Sequence, residues 1–534
     1  MPTDELSGEH RSVSWEESRK RGLNVDQVNV AALKAAWWRV WWEQDFSWQG
    51  LAELPIAGGG NHQDYWREEG GHLTKSPVSG REFTRFHLPL LWEDGTPTGK
   101  ADWHPGELDE ALADHLKRAK TSDFYWSTRA TGLDRRAQMS GVIFPGALGS
   151  FGAHDEPVHI RADWTWFGEG LVRYGRPIGA RSSFENSWFG GRAGFEAVEF
   201  LGDVWFRKAT FTDGAWFDRA TFKGLARFED CRVVDLAGDA AFRFDSAVFE
   251  SQASFERANL EESRNLSFRS ARPSSTVRFD DVAFPNDPKI HAGAFADVTF
   301  PRLTSFQGRS FTAFAMLYGA RFDGLTLFSR ETLDEDRGFD TAIAALHRLK
   351  PGDRAEHFSQ MQAVMTSLKQ NAEQRRDRSL EQTFYRYELI AREQNPRTAR
   401  FDRTASRLYG GLTGYGLSIQ SPVIGVGWAL LVFALAYWLA GLALAGGTTA
   451  AALLRSACEA HRFWEAVTLS IETTFKPFGH LGRPDAATPV IGMVGRVHPG
   501  GKLVVQLLAI AQSLFSVAML FAAGLALRRR FQIA

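Results

Sequence analysis

The sequence predicts a mixed fold: a solenoid of short repeated faces, joined by a helical hairpin to two membrane-spanning helices. Three observations predict it. Phenylalanine recurs at alternating intervals of five and six residues from Phe184 onward. Two long stretches toward the end of the chain carry no charged residue. Between these regions the apolar residues take up the spacing of an amphipathic helix.

The repeat is the most specific of the three. Phe184, Phe189, Phe195, Phe200, Phe206, Phe211, Phe217, Phe222 and Phe228 keep the alternation without a break. It resumes at Phe244, Phe249, Phe255 and Leu260, and again at Phe295, Phe300, Phe306, Phe311, Leu317, Phe322 and Phe328. Segment 181–330 holds 23 of the 41 Phe residues, so the enrichment is local. Two residues before the Phe there is often a small one: Ala209, Ala215, Ala220, Ala226, Ala247, Ala253, Ala258 and Ala320. Neither a helix period of 3.6 nor a strand period of 2 produces this pattern, whereas a fixed internal repeat does. The physical reading is one large inward residue per short face. Each Phe stacks on its equivalent in the next coil, the Ala packs where space is small, and Asp, Arg, Lys, Glu and Thr point outward. The breaks near Cys231–Ala241 and Arg264–Val277 are expected to be loops or distorted coils. A Phe-rich β-sandwich would not hold the alternation through nine Phe.

The stretch WFRKATFTDGAWFDRATFKG, residues 205–224, resembles the Phe-rich variety of pentapeptide-repeat proteins. The resemblance implies a right-handed quadrilateral β-helix, set here at 141–330. Its ladder residues are the nine Phe from Phe184 to Phe228.

No Asp, Glu, Lys or Arg lies between Arg407 and Arg455. Within that gap Val423–Ala445 would span roughly 34 Å as a helix, enough for a hydrocarbon core. A second uncharged stretch, Leu503–Leu527, contains Gln506, Gln512, Ser513 and Ser516. These are costly against lipid and suggest a face turned toward protein or water. Arg392, Arg397, Arg400, Arg403 and Arg407 precede the first span, and Arg528, Arg529 and Arg530 follow the second. Basic clusters favour the cytoplasmic side, so both termini are expected there and the connecting loop outside. The expectation is a multi-pass protein of the cell (inner) membrane. Met1–Arg11 is polar and does not read as a secretory signal.

Between the spans, Phe463–Phe475 reads FWEAVTLSIETTF. It is too short and too polar to cross a bilayer, with Glu465 and Glu472 inside it. Trp464, Val467, Leu469, Ile471 and Phe475 could bury one side of a short helix. This layout, with Thr473-Thr474 followed by Phe478-Gly479, resembles that of pore-loop channels. The resemblance implies a short pore-type helix in a loop at 459–482, with Thr473, Thr474, Phe475, Lys476, Phe478 and Gly479 as candidate pore-loop residues. It also implies a homotetramer. The chain departs from a potassium filter at Phe475, Lys476 and Pro477, where a flexible run of carbonyls would be needed, and at His480, where an acid is expected.

A connector is placed at 331–407 and the membrane domain at 408–534. Phe358, Met361, Met365, Leu368 and Ala372 fall on one helix face, and Leu380, Phe384, Tyr387 and Ala391 on another, with a turn at Gln374–Asp377. Leu368-Lys369, Phe384-Tyr385, Glu388 and the stretch from Leu408 resemble the hairpin linking repeats to spans in pentapeptide-repeat membrane proteins. Residues 1–140 are a Trp-rich region of undefined fold. There Trp37, Trp38, Trp41 and Trp42 make one apolar helix face, read as core. Phe83–Trp92 is expected to be a strand, and Val142–Gly146 the first coil or its cap.

The charge balance, 62 basic against 63 acidic residues, argues against nucleic acid as a partner and against DNA mimicry by the repeats. Two cysteines, Cys231 and Cys458, make neither a disulfide framework nor a cysteine metal site. No phosphate loop, nucleophile elbow or zinc-helix motif is present, so no enzyme activity and no cofactor are expected. His62 with Asp64, and His154 with Asp155 and Glu156, are the nearest to metal pairs and read as solvated loops. The sequence therefore supports an ion-channel-like membrane protein with a cytoplasmic β-helix for regulation or interaction. The second reading is a non-conducting scaffold that holds a cytoplasmic protein partner. Membrane lipid is a partner in both.

Overall fold

Successive intervals of five and six residues return the chain to the same face after 22 residues, and the backbone does this. The computed structural model describes residues 25–56, 61–103, 108, 110–113, 136–146, 148, 159–173, 175–236, 238–285, 293–308, 314–328, 333, 337–348, 350–415, 418–444, 460–476 and 499–531. Two compact units divide at Tyr387 and Glu388.

In the first unit the described residues form a β-solenoid of about eight turns. Its strands are two or three residues long and every solenoid pairing is parallel. The chain visits four stacks in turn. One holds nine strands, from Arg136–Gln138 to Thr326–Phe328. Two hold five strands and one holds four, which a pair formed by Thr299–Phe300 and Arg321–Phe322 follows. Residues one coil apart face each other, as Phe189 faces Phe211 and Phe200 faces Phe222. The rings therefore stack: Phe200 on Phe222 at 4.7 Å, Phe195 on Phe217 at 5.1 Å, Phe206 on Phe228 at 5.1 Å, all within 4° of parallel. All nine ladder Phe and the eight flanking Ala are buried.

The alternation of five and six has a backbone cause. Asn186, Ala197, Lys208, Arg219 and Asp230 all have φ of 56–59°, and each lies inside a five-residue interval. There a tight turn closes, as when the Ala209 N–H donates to the Phe206 carbonyl at 3.1 Å and the Ala220 N–H to Phe217 at 3.0 Å. A left-handed residue at the third position turns the chain within four residues. The six-residue intervals up to Phe228 have no left-handed residue except Gly214, and they need the extra residue to round the corner.

The two expected breaks are coils of the same solenoid with residues added at a corner. Arg232–Val233 pairs in register with Thr210–Phe211, and the side chains of Cys231, Val233 and Val234 are buried. Phe217 stacks on Phe244 at 4.8 Å and Phe244 on Phe268 at 4.8 Å, so the ring column passes through both breaks. The additions are absorbed outside the core because only the inward positions must keep register.

Helix α1 (Val25–Glu43) packs on the outside of the first coils. Trp166 and Trp188 point outward from neighbouring strands and stack at 5.2 Å. Trp37 and Trp38 cover them, with centroids 5.3 and 5.0 Å from Trp166. The Trp37 indole donates to the Asn186 carbonyl and that of Trp41 to the Gly141 carbonyl. The short helices α2 (Trp48–Glu53) and α3 (His62–Tyr65) follow. The Phe86 carbonyl takes hydrogen bonds from the Ile143 N–H at 2.9 Å and the buried Lys100 ammonium at 2.7 Å, beside the first coil. The strand expected over Phe83–Trp92 is reduced to Glu82–Phe83, paired with Thr74–Lys75. Beyond it the backbone closes local turns, Leu88 N–H to Thr84 and Trp92 N–H to Thr96, which compete with any ladder. Ile143–Phe144 belongs to the first coil, pairing with Trp166–Phe167.

At the other end, α4 (Arg337–His347), α5 (Pro351–Gln374) and α6 (Arg378–Gln394) follow the last coil. The last coil has no neighbour on one side, and α5 supplies one. Ser367, Asn371 and Arg375, four residues apart on one face, meet it. The Ser367 hydroxyl donates to the Phe322 carbonyl and accepts from the Phe322 N–H. The Asn371 carbonyl oxygen accepts from the Thr326 N–H at 2.9 Å, and its amide donates to Gly324. Arg375 donates to the Thr326 carbonyl at 2.9 Å. The helix thus satisfies the open strand edge. The apolar faces predicted for the hairpin are buried, from Phe358 to Ala372 and from Leu380 to Ala391.

In the second unit, α7 (Arg400–Thr413) leads to α8 (Gln420–Leu444), α9 (Ala460–Phe475) and α10 (Pro499–Phe531). Gln420–Ala440 and Leu503–Arg528 are long and apolar enough to cross a membrane. Only 22% and 28% of their apolar windows are buried, whereas the core helix of a soluble protein is mostly buried.

Candidate functional site: a polar core between apolar helices

Helices α8, α9 and α10 pack against one another. Gly425 of α8 lies where a Cβ would meet the Met519 methyl of α10, so glycine there lets the two long helices approach closely. The outward residues of both are apolar, among them Leu431, Leu435, Leu507 and Leu514.

Their interior is polar. Gln512 is fully buried and uses both ends of its amide. Its carbonyl oxygen accepts from the Tyr437 hydroxyl of α8 at 2.8 Å. Its nitrogen donates to the Ser470 carbonyl, the Ser470 hydroxyl and the Thr474 hydroxyl of α9 at 2.8–2.9 Å. Ser470 donates in turn to the Leu430 carbonyl of α8 at 2.9 Å, and the Ser516 hydroxyl reaches Thr474 at 3.4 Å. One glutamine therefore ties three helices together. Satisfying these groups inside the protein removes the cost they would carry in hydrocarbon. Tyr437, Ala466, Leu469 and Val505 close the site with apolar contacts.

Of the residues expected to bury one side of α9, Leu469 does so, whereas Trp464, Ile471 and Phe475 do not. Ala466, Ser470, Thr473 and Thr474 are buried, while Trp464, Ile471 and Phe475 are exposed. The side that meets the other helices is small and polar apart from Leu469, and the aromatic side faces out. Of the candidate pore-loop residues, Thr473 and Thr474 lie in this core, and Phe475 and Lys476 are exposed at the helix end. Phe478 and Gly479 lie outside the described residues. The Lys476 N–H donates to the Glu472 carbonyl at 2.8 Å, and among the described residues the two side chains form no ion pair. Gln512, Ser513 and Ser516 turn inward as the sequence suggests, but Gln506 is exposed. Sequence reasoning missed Tyr437 and Ser470. The usable signal at Tyr437 was a hydroxyl in the middle of an uncharged apolar helix.

Residues 184–232 match the family model of pentapeptide repeats (9 copies).

The match covers the unbroken part of the Phe ladder, and no curated protein and no solved structure matches the chain. On the outer surface of the pentapeptide-repeat solenoid, opposite charges pair from coil to coil. Arg207 meets Glu185 at 2.7 Å, Arg257 meets Asp230 at 2.8 Å, and Arg243 lies between Asp218 and Asp245 at 3.0 and 2.8 Å. The Arg257 guanidinium holds the Asp230 carboxyl below its usual range. This pentapeptide-repeat surface thus mixes both signs, unlike the acidic face a DNA mimic needs.

His62 and Asp64 do not form a metal pair. His62 is buried rather than solvated, and Asp64 turns to Arg67 at 3.0 Å. Burial, helped by the nearby Arg161 charge, holds the His62 imidazole down at about 3. His154, Asp155 and Glu156 lie outside the described residues, as does Cys458. Cys231 fills an inward position of the solenoid, where burial pushes its thiol up and leaves it unreactive.

Proposed function

We propose that this chain is an integral protein of the cell (inner) membrane, an ion-channel-like pore regulated by, or recruited through, a cytoplasmic right-handed pentapeptide-repeat β-helix. The observation that carries the reading is the Gln512 network. Helix α9 has 16 residues, about 24 Å, and carries two glutamates, so it does not cross a bilayer. It is held between two longer apolar helices by Gln512, Ser470 and Thr474, which supports the reading that it sits at membrane depth. Backbone that leaves such a helix is tolerated there only where it lines a cavity or is buried in protein. In this reading Thr473, Thr474, Phe475, Lys476, Phe478 and Gly479 border the pathway, and four copies surround it. A ring of Lys476 side chains would repel cations and favour anions. The protein acts by permeation, with no enzymatic step, cofactor, metal or nucleic acid.

The test is electrical recording of purified full-length protein in planar bilayers under a salt gradient. Current is expected, and Lys476→Glu is expected to move the reversal potential toward cation preference. A conducting variant with an unmoved reversal potential takes Lys476 out of the pathway. Absence of current in both forms favours the second reading, a non-conducting scaffold whose β-helix holds a cytoplasmic protein partner. One observation favours that scaffold: the hydroxyls of Thr473 and Thr474 are engaged within the chain, Thr473 donating to the Leu469 carbonyl at 2.7 Å.

A further inference from the structure

Helix α7 presents an apolar face that no described residue of its own unit covers. At 100° per residue Phe401, Ala405 and Leu408 fall within an arc of about 60°. Phe401 is 81% exposed and Leu408 59%. The opposite flank is fixed. Arg403 donates to the carbonyls of Asn395, Pro396 and Thr398 at 3.0–3.2 Å. Arg407 meets the buried Glu393 at 3.3 Å, and the Tyr415 hydroxyl donates to the same carboxylate at 2.6 Å. The helix therefore cannot roll to hide its Phe and Leu without breaking these bonds.

Two further facts say what covers that face. Gly414 and Tyr415, both at positive φ, end α7, and α8 opens at Gln420, five residues after Tyr415. The first exposed apolar residues of α8 are Val423 and Ile424, at the start of the span. The segment 392–407 also carries Arg392, Arg397, Arg400, Arg403 and Arg407 against only Glu393 and Asp402.

We infer that α7 lies in the plane of the cytoplasmic bilayer surface, with Phe401 and Leu408 buried among the headgroups and the exposed Arg400 engaging anionic phospholipid. An apolar stripe flanked by arginines binds an interface in this way, by buried area together with charge. The inference rests on the spanning reading of α8.

The experiment uses full-length protein with Cys458→Ser, where the buried Cys231 does not compete for label. Nitroxides are placed at Phe401→Cys, Leu408→Cys, Asp402→Cys and Leu431→Cys. The proteins are reconstituted in vesicles of phosphatidylcholine and phosphatidylglycerol, and accessibility to oxygen is compared with accessibility to a water-soluble nickel chelate. Positions 401 and 408 are expected to favour oxygen and 402 the chelate. Omitting phosphatidylglycerol, or substituting Arg400→Gln, is expected to shift 401 and 408 toward water. With 431 reading deep in lipid, labels at 401 and 408 that read water overturn the inference. So do labels shielded from both reagents, which mean a protein partner or a second copy, and so does indifference to lipid charge. If 431 itself reads water, the spanning reading fails and this inference falls with it.

Discussion

Phe211 shows what a single ladder residue contributes. Its ring stacks on Phe189 at 4.9 Å and has no exposed surface. Replacing it by alanine removes the buried ring and leaves a cavity that a close-packed column fills poorly. The solenoid of Phe211→Ala is expected to lose about 3–5 kcal/mol. Pulse proteolysis across a urea series measures this, and a loss under about 1 kcal/mol would mean the ring is not a core element. His62 acts through pH instead. Its folded pKa is about 3 against 6.5 in the unfolded chain, so between these values the unfolded chain binds a proton that the folded chain does not. Stability is then full above pH 6.5 and falls as pH drops through that window, with a slope of about 1.4 kcal/mol per pH unit. His62→Gln is expected to flatten the pH dependence of unfolding between these limits, and an unchanged slope would assign it to other groups. At this scale the sequence is informative where one residue type recurs. The Phe positions are legible because each coil imposes the same steric demand. His62 is not, since nothing in its neighbours in sequence announces burial.

Among the elements, the caps carry the lesson. A solenoid ends in unpaired backbone groups, and α5 meets them with Ser367, Asn371 and Arg375. Asn371→Leu leaves the buried Thr326 N–H without a partner, at a cost of about 1–3 kcal/mol, and frees the half-buried Gly324 carbonyl. Hydrogen exchange is expected to speed up in Thr304–Phe328 while 184–228 stays protected. Uniform loss across the solenoid would instead show that all coils unfold together. The helical periods of α5 and α6 could be read directly, because amphipathic helices bury one face whatever they meet. What α5 meets could not, since a strand edge leaves no pattern in the helix that covers it. The four tryptophans of α1 were legible as a core face for the same reason. Their partners were not, because Trp166 and Trp188 stand at outward positions of the repeat, where polar residues are the rule. The five-and-six alternation was visible as a number, but its cause lay in the left-handed turn residues. These are as varied as Asn186, Ala197, Lys208 and Arg219, so composition could not reveal them.

For the molecule as a whole, the question is which side of a membrane each part occupies. Arg400, Arg403 and Arg407 before the first apolar helix and Arg528–Arg530 after the second predict that both lie on the cytoplasmic side. A cysteine introduced between residues 483 and 500, in a chain lacking Cys231 and Cys458, is expected to react with an impermeant reagent on intact cells. One added after Arg530 is expected not to react, and the reverse outcome would invert the topology. The polar core was half legible at this scale. Gln512 and Ser516 could be read as facing away from lipid, because their cost there is a property of the residue alone. Tyr437 and Ser470 join them from 75 and 42 residues away, and contacts at such separations follow from helix packing rather than from any local spacing.

The hydrogen bonds between coils have one further consequence, for mechanics. Because the strands of the inner coils pair in parallel with the coils before and after them, these bonds run along the long axis of the solenoid. Pulled from its two ends, the solenoid would load them in series rather than side by side. Coils would peel away singly, a regular coil releasing 22 residues, a step of about 70 Å once the spacing of one coil is subtracted, and the enlarged coils releasing more. Under tension the solenoid would thus yield coil by coil, with the longest steps where residues are added at a corner, as a mechanical fuse does.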